Sequence, residues 1–238
     1  MPVYSDIHIH MLQGVDDGPD SSELMFGMLE RAYTDGTRVF CLTPHFHLGL
    51  FGENSQISKA VFEDLKEKAV LQFPDAVLTL GNELRYGPSA IDWLESGLCR
   101  TLNHTRNVLV DFRADEQLNT ITNAMYRLLN SGYQPILAHA ERYEALNHNW
   151  AAFEELKNKG VILQIDADSI FGKWNRMAKQ MSRQLLKRRL ADLVCSDAHN
   201  LTDRTPELHC AYLFVSKHYG EQYAESLFYN YPIQLLEL

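Results

Sequence analysis

Short β-branched or apolar runs recur along the chain at residues 3–9, 38–43, 76–80, 107–112, 135–138, 161–165 and 193–195, too far apart for hairpins. Between most of them the apolar positions fall at helical spacing, the alternation that builds βα units on a parallel sheet. In the first interval Leu24, Met25, Met28, Leu29 and Ala32 form one apolar stripe, with Asp20, Ser21 or Ser22 to cap its start and Gly36 to stop it. The same spacing predicts helices over 57–73, 90–95, 121–131, 150–159 and 177–189, and a C-terminal pair within 207–229. With no Pro/Gly/Ser-rich linker, repeat or low-complexity tract, this pattern predicts a single α/β domain over residues 1–238. A closed or nearly closed barrel is expected, with a doubly wound open sheet as the alternative.

At 238 residues and 45% apolar composition, the chain has enough material for a sizeable core. No stretch approaches the roughly 20 uncharged apolar residues of a membrane span, and the start Met1-Pro2-Val3-Tyr4-Ser5-Asp6 lacks the basic and apolar regions of a signal peptide. A cytoplasmic protein without membrane insertion is therefore expected. A net charge of −9 provides no overall attraction for nucleic acid. The notable basic run, Lys187-Arg188-Arg189 beside Arg183, suits the last turn of a helix, where cations are favoured. Four scattered cysteines, Cys41, Cys99, Cys195 and Cys210, are expected to be reduced and mostly buried.

The candidate chemistry gathers where the runs end, which is where parallel α/β folds assemble their sites. The first run ends in Asp6-Ile7-His8-Ile9-His10, with Asp16-Asp17-Gly18-Pro19 in the loop beyond. Later runs lead into Thr43-Pro44-His45-Phe46-His47, Gly81-Asn82-Glu83, Asp111, His139-Ala140-Glu141-Arg142, Asp166-Ala167-Asp168 and Ser196-Asp197-Ala198-His199-Asn200. A histidine or carboxylate at every strand end is hard to explain as packing, because charges converging on one barrel mouth resist desolvation unless cations neutralise them. Imidazole with carboxylate suits zinc, manganese or iron, and no cysteine stands at these ends to make a thiolate zinc site. His8 and His10 are two apart, so on a strand they face the same way and can hold one ion; Asp197 and His199 share that spacing, as do His45 and His47. Together these pairs predict multinuclear metal binding.

These segments, with Tyr143 following Arg142, resemble the polymerase-and-histidinol-phosphatase (PHP) superfamily, and within it the bacterial CpsB/YwqE type of capsular-polysaccharide protein-tyrosine phosphatase. The similarity runs in order and with similar spacing from the first strand to Arg204-Thr205-Pro206. It implies a distorted seven-stranded β/α (TIM-like) barrel holding three divalent transition-metal ions, often manganese, with zinc or iron elsewhere in the superfamily. It assigns His8, His10, Glu83 and Asp197 to the first ion, Asp17, His45 and His199 to the second, and Asp111 and His139 to the third, with Glu83 bridging. Arg142 and Arg204 match arginines that the branch uses at the phosphate. The implied substrate is the phosphotyrosine tail of a capsule or exopolysaccharide tyrosine kinase. The chain departs from the branch at Asp111, where Glu is usual, and after His45, where Phe46-His47-Leu48-Gly49 stands in place of residues that are often basic.

A phosphate monoester needs positive charge around its non-bridging oxygens and a nucleophile at neutral pH. A hydroxide bridging two ions is the expected nucleophile, with the third ion and Arg142 or Arg204 holding the oxygens. Neither arginine is a plausible ligand, so replacing either is expected to spare the metals and the fold. A small-molecule phosphatase of the histidinol-phosphate type and a non-catalytic metal-binding module are the alternatives. Outside the constellation, His47 is expected beside the site or in solvent, Asp16 to shape its loop, and Glu141, Asp166 and Asp168 to orient ligands or line the mouth. His104, His148, His209 and His218 read as ordinary surface or helix residues, and Tyr86, Phe46, Phe51 and Trp174 as pocket wall or core.

Overall fold

In the computed structural model, which describes residues 2–238, the seven runs become nine strands, all paired in parallel. They are β1 (Tyr4–Ile9), β2 (Thr37–Leu42), β3 (His45–Phe46), β4 (Val77–Leu80), β5 (Glu83–Arg85), β6 (Asn107–Asp111), β7 (Gln134–Leu137), β8 (Ile162–Asp166) and β9 (Leu193–Cys195). Two sheets result, a three-stranded one in the order β1-β2-β4 and a curled six-stranded one in the order β3-β5-β6-β7-β8-β9. The expected α/β class and parallel pairing are present, but the seven-stranded count is not. The reason is local: Pro44 has no N–H to continue a ladder, so pairing stops at Leu42 and resumes at His45 in the other sheet. The neighbouring run breaks alongside it, between Leu80 and Glu83, and backbone bonds from Gly81 to Leu42 (2.9 Å) and from Glu83 to Pro44 (3.2 Å) carry the two chains through the bend together. The sheets also meet where Ile9 bridges Ala198, with His10 N–H donating to the Ala198 carbonyl at 2.9 Å.

Helix α1 (Ser22–Asp35) begins at Ser21, whose hydroxyl accepts from the Leu24 N–H, and ends at Gly36, whose φ of 117° few other residues tolerate. Its buried stripe, Met25, Met28, Leu29 and Ala32, packs with Phe62, Leu65 and Ala69 of α3 (Ser55–Gln72) onto Phe40, Leu42 and Leu78 of the small sheet. A short α2 (Leu48–Phe51) precedes α3. Over the large sheet lie α4 (Ala90–Glu95), α5 (Leu118–Asn130), α6 (Trp150–Asn158), α7 (Ala167–Phe171), α8 (Arg176–Lys187) and α9 (His209–Tyr219). Strand alternation divides the apolar residues: Val108, Val110, Leu137, Leu163 and Val194 join the helices, whereas Leu109, Ile136, Ile162, Leu193 and Cys195 form a separate inner cluster.

That inner cluster is completed by Leu235 and Leu236 of α11 (Tyr231–Leu236), which follows α10 (Glu221–Glu225) and a π-helical turn over Ser226–Asn230. The sequence pattern anticipates two C-terminal helices ending at 229 and misses this last one. Asn103 Nδ2 donates to the Leu236 carbonyl (2.8 Å) and Asn107 Nδ2 to that of Leu235 (2.6 Å), so the helix end is tied to the start of β6. Each fully buried leucine contributes about 1.5–3 kcal/mol. The cluster also takes in Ile7, Val39 and Cys41 of the small sheet, and the polar residues gather beyond it at the strand ends. Among the described residues no helix is long and apolar enough to cross a membrane.

Candidate metal centre

All nine residues singled out as ligands stand at one end of the sheets, in β1 and the loop beyond it, at the starts of β3 and β5, at the end of β6, and just past β7 and β9. His8, His10, Glu83, Asp111, Asp197 and His199 are nearly inaccessible to solvent. Their donor atoms converge on Glu83 and Asp197. Glu83 Oε1 lies 3.3 Å from His8 Nε2 and 3.0 Å from His139 Nε2, and its Oε2 lies 3.3 Å from His10 Nε2 and 2.7 Å from His45 Nδ1. Asp197 Oδ1 faces His8 Nε2 at 3.3 Å and His10 Nε2 at 3.6 Å. Asp17 Oδ1 faces His45 Nε2 at 3.4 Å and His199 Nε2 at 3.3 Å.

Three groupings have donors close enough to share an ion: His10, Asp17, His45 and His199; His8, His10 and Asp197; and His45, Glu83 and Asp111. Compared with the division drawn from the resemblance, His10 stands in two groups, and His45 takes the place of His139 beside Glu83 and Asp111. His139 Nε2 is nonetheless 3.5 Å from Asp111 Oδ1. His139 (φ 33°) and Asp197 (φ 52°) both adopt the left-handed conformation that non-glycine residues avoid, the kind of strain that folds retain where a side chain must be aimed.

The donors' surroundings fit metal ions. Buried His8 Nε2, His10 Nε2 and His199 Nε2 make no hydrogen bond although carboxylate oxygens stand near each, an arrangement costly for any polar atom unless an ion completes it. Burial opposes ionisation of Glu83 and Asp197, yet the surrounding histidines, and for Asp197 also Arg142 and Arg204, hold both carboxyls well below the usual range. Burial also opposes the charged form of His8, but Glu83 and Asp197 push it up to about 9; at His139 and His199 burial wins and lowers them to about 4. Burial and the charge of Glu83 push Asp111 up to about 7.

Two residues that hold the donors in place, Gln164 and Arg85, carry no signal in the sequence. Gln164 Oε1 lies 3.0 Å from His8 Nδ1 and accepts from the His139 N–H at 2.7 Å, so one side chain orients two imidazoles. Asp16 does more than shape its loop: Oδ2 lies 2.8 Å from His10 Nδ1 and accepts from the His45 N–H, while Oδ1 accepts from the Gly18 N–H. Gly18 is required there, because a Cβ would stand 2.7 Å from the His10 carbonyl oxygen. Arg85 Nη2 pairs with Asp111 Oδ2 at 2.6 Å. A carboxylate spaced six residues from His10 is the only local hint; the other partners come from distant segments.

Arg142 and Arg204 both reach Asp197 Oδ2, at 2.9 and 2.8 Å, on the side away from the histidines. Arg142 also pairs with Asp166, and its side chain is only 11% exposed, whereas that of Arg204 is 29% exposed. Asp166 thus holds an arginine rather than a histidine, Asp168 pairs with Lys173, and Glu141 accepts from the Asp166 N–H. A cavity of about 490 Å³ opens over Glu83, Asp111, His139 and Asp197, with Arg85, Arg142, Arg204 and Trp174 on its walls. His47 is half-buried ahead of α2; His104, His148 and His218 are exposed; and His209 bonds to the Tyr4 hydroxyl. Phe46 belongs to the core and the half-buried Tyr86 packs against it, while Phe51 stacks on His45. Cys41, Cys99 and Cys195 are buried and Cys210 is exposed.

The family of capsular polysaccharide synthesis proteins CpsB/CapC matches residues 4–237. Tyrosine-protein phosphatase CpsB of Streptococcus pneumoniae is 33% identical over 236 residues, covering 97% of each chain. Tyrosine-protein phosphatase YwqE of Bacillus subtilis (strain 168) is 28% identical over 218 residues, 91% of this chain and 85% of that one. A solved structure from the work on YwqE of Bacillus subtilis and CpsB of Streptococcus pneumoniae, described as unique metal-dependent tyrosine phosphatases, superposes with a TM-score of 0.83 at 27% identity, over 98% of this chain and 91% of the other. The histidines and carboxylates gathered around Glu83 and Asp197 thus sit in a chain that follows these relatives almost end to end, and the protein belongs to the CpsB/CapC family.

Proposed function

We propose that this chain is a metal-dependent protein-tyrosine phosphatase, a single PHP-type domain over residues 1–238, acting in the cytoplasm on the phosphotyrosine tail of a tyrosine kinase of capsule or exopolysaccharide synthesis. In this reading the two sheets work as one distorted barrel, since each bent run serves both and the Ile9–Ala198 bridge joins their remaining edges. The observation that carries the reading is the division of labour at Asp197: Oδ1 faces the histidines and Oδ2 holds two arginines, so ion binding and anion binding meet at one carboxylate.

The nitrogen and oxygen donors, with buried imidazole nitrogens left unpaired and no thiolate among them, suit divalent transition ions such as manganese, zinc or iron; three ions, manganese foremost, are what the resemblance to the family implies. His8, His10, Glu83 and Asp197 would hold the first, Asp17, His45 and His199 the second, and Asp111 and His139 the third, with Glu83 shared. When bound, the ions supply positive charge to phosphate oxygens and lower the pKa of water towards 7, so that a nucleophile exists at neutral pH. Arg204, part-exposed on the cavity wall, would present N–H groups to phosphate oxygens, with the more buried Arg142 beside it on the same Asp197 carboxylate adding positive charge. Gln164 and Asp16 keep His8 and His10 turned inward. A phenolate, with a pKa near 10, leaves with little help from a general acid. The test is elemental analysis of reconstituted protein together with turnover of a phosphotyrosyl peptide against histidinol phosphate. Two or three ions per chain and preference for the peptide are expected; fewer than two ions, or preference for histidinol phosphate, overturns the reading.

A further inference from the structure

The chain has three tryptophans, and two of them, Trp93 and Trp150, pack against the main apolar core. Trp174 does not, and half of its surface is exposed. Exposure by itself does not set Trp174 apart, since Leu50, Val70 and Leu71 are exposed at least as much; its place on the wall of the large cavity does. Nor is its segment slack. Gly172, with φ 87°, ends α7, Lys173 is tied back by its N–H to the Asp168 carbonyl and by its amine to the Asp168 carboxylate at 2.9 Å, and Asn175 caps α8 by accepting from the Ala178 N–H at 2.8 Å. Trp174 is therefore held between two anchored residues.

The guanidinium carbon of Arg142 lies 4.1 Å from the centroid of the Trp174 indole ring. Trp174 also forms a partition, lining both the 490 Å³ cavity and a smaller one of about 230 Å³, and Arg142, Asp197 and Arg204 are common to both. The large cavity has two further aromatics on its wall, Phe112 and Tyr143, but these are 4% and 1% exposed and turn little surface to a ligand. An ester oxygen is all that separates phosphorus from the organic group of a phosphate monoester. With the phosphoryl group against Arg142 and Arg204, that group must begin within a few bonds of the indole.

We infer that Trp174 is a specificity-determining residue of this site: its open face receives the aromatic ring of the substrate and favours aryl over alkyl phosphates. The inference rests on the phosphatase reading above, and it assigns the selectivity to stacking in the wall rather than to the ions, which hold the phosphoryl group of either substrate alike. Aromatic pairs prefer offset or edge-on geometries, which a half-exposed ring at a cavity mouth can provide.

The experiment is titration calorimetry of the metal-loaded protein with inorganic phosphate, methylphosphonate and phenylphosphonate, on the native chain and on Trp174→Ala and Trp174→Leu. Leucine keeps apolar bulk and protects the comparison should alanine loosen the α7–α8 connection, and thermal unfolding checks both variants. The native protein should bind phenylphosphonate more tightly than methylphosphonate. Both substitutions should weaken phenylphosphonate about tenfold, the order expected of an aromatic pair, and leave the other two anions within about twofold. A parallel weakening of all three anions would mean that Trp174 merely props Arg142 and would overturn the inference alone, as would unchanged binding of phenylphosphonate. Failure of the native protein to bind any of them would overturn the phosphatase reading as well.

Discussion

Replacing Arg142 by alanine removes a guanidinium from between two carboxylates that water barely reaches, Asp166 at 0% and Asp197 at 3% exposure. By residue type alone this change is expected to spare the fold; the burial says otherwise. Asp197 would keep Arg204 at 2.8 Å, but Asp166 would keep only the Gln164 amide, also at 2.8 Å. Breaking a buried pair by deleting one partner costs about 3–5 kcal/mol. The low end is expected here, because one of the two carboxylates remains paired, and about 3 kcal/mol in a chain of this size lowers Tm by roughly 6–12 °C. The loss should depend on pH. Burial raises the Asp166 carboxyl well above its usual range even beside Arg142. A raised pKa in the folded state means stability that is present at low pH and lost as pH rises through it, so the deficit of Arg142→Ala should grow as pH rises. Thermal unfolding followed by circular dichroism on chelator-treated protein measures this directly. Adding Asp166→Asn, which keeps an acceptor and a donor without a charge, should restore more than half of the lost stability. An unchanged Tm at pH 8, or no rescue by Asp166→Asn, would refute the reasoning.

Arg204→Ala should behave differently, because the side chain is part-exposed and its partner keeps a second arginine: stability should fall by about 0–1 kcal/mol, while kcat/KM falls roughly ten- to a hundred-fold for the loss of a charged hydrogen bond, and near-native kcat/KM at full metal content would count against a phosphate role. Asp16→Asn should weaken metal binding about ten- to a hundred-fold in equilibrium dialysis through its contact with His10 Nδ1; unaltered affinity would mean that His10 needs no such partner. Burial pushes Asp6 up to about 6 despite the bond from the Ser196 N–H, so Asp6→Asn should stabilise metal-stripped protein by up to about 3 kcal/mol at pH 8 and by little near pH 4, and a gain that does not vary with pH would contradict this. Burial pushes Cys41 up to about 12 and raises Cys99 and Cys195 as well, so an alkylating agent should label Cys210 alone in the native protein and leave phosphatase turnover intact; mass spectrometry and a phosphotyrosyl peptide assay check the two halves.

Much of the centre is legible in the chain itself because its signals are local. His8 and His10 share a face whenever residues 4–9 form a strand, and Ser21 and Gly36 bound α1 through chemistry contained within a turn. Periodicity likewise marks which residues of 121–131 or 177–187 face the core. What the chain's pattern could not decide are matters of which distant segments meet. The division into two sheets depends on Pro44 and Gly81 bending side by side, and α11 is invisible to a pattern that cannot say that Leu235 and Leu236 fill space beside Leu109 and Ile136. The same holds for Gln164, which reaches His8 from 156 residues away, and for Arg85, whose partner Asp111 lies on the neighbouring strand. Arg142 and Arg204 look equivalent along the chain, and only packing makes one a buried member of an ion pair and the other an accessible rim residue. Residue type and spacing determine what a side chain can do and which way it points from its own element. Register, close packing and the exclusion of water determine what it faces, and therefore its charge, its partners and its cost of removal.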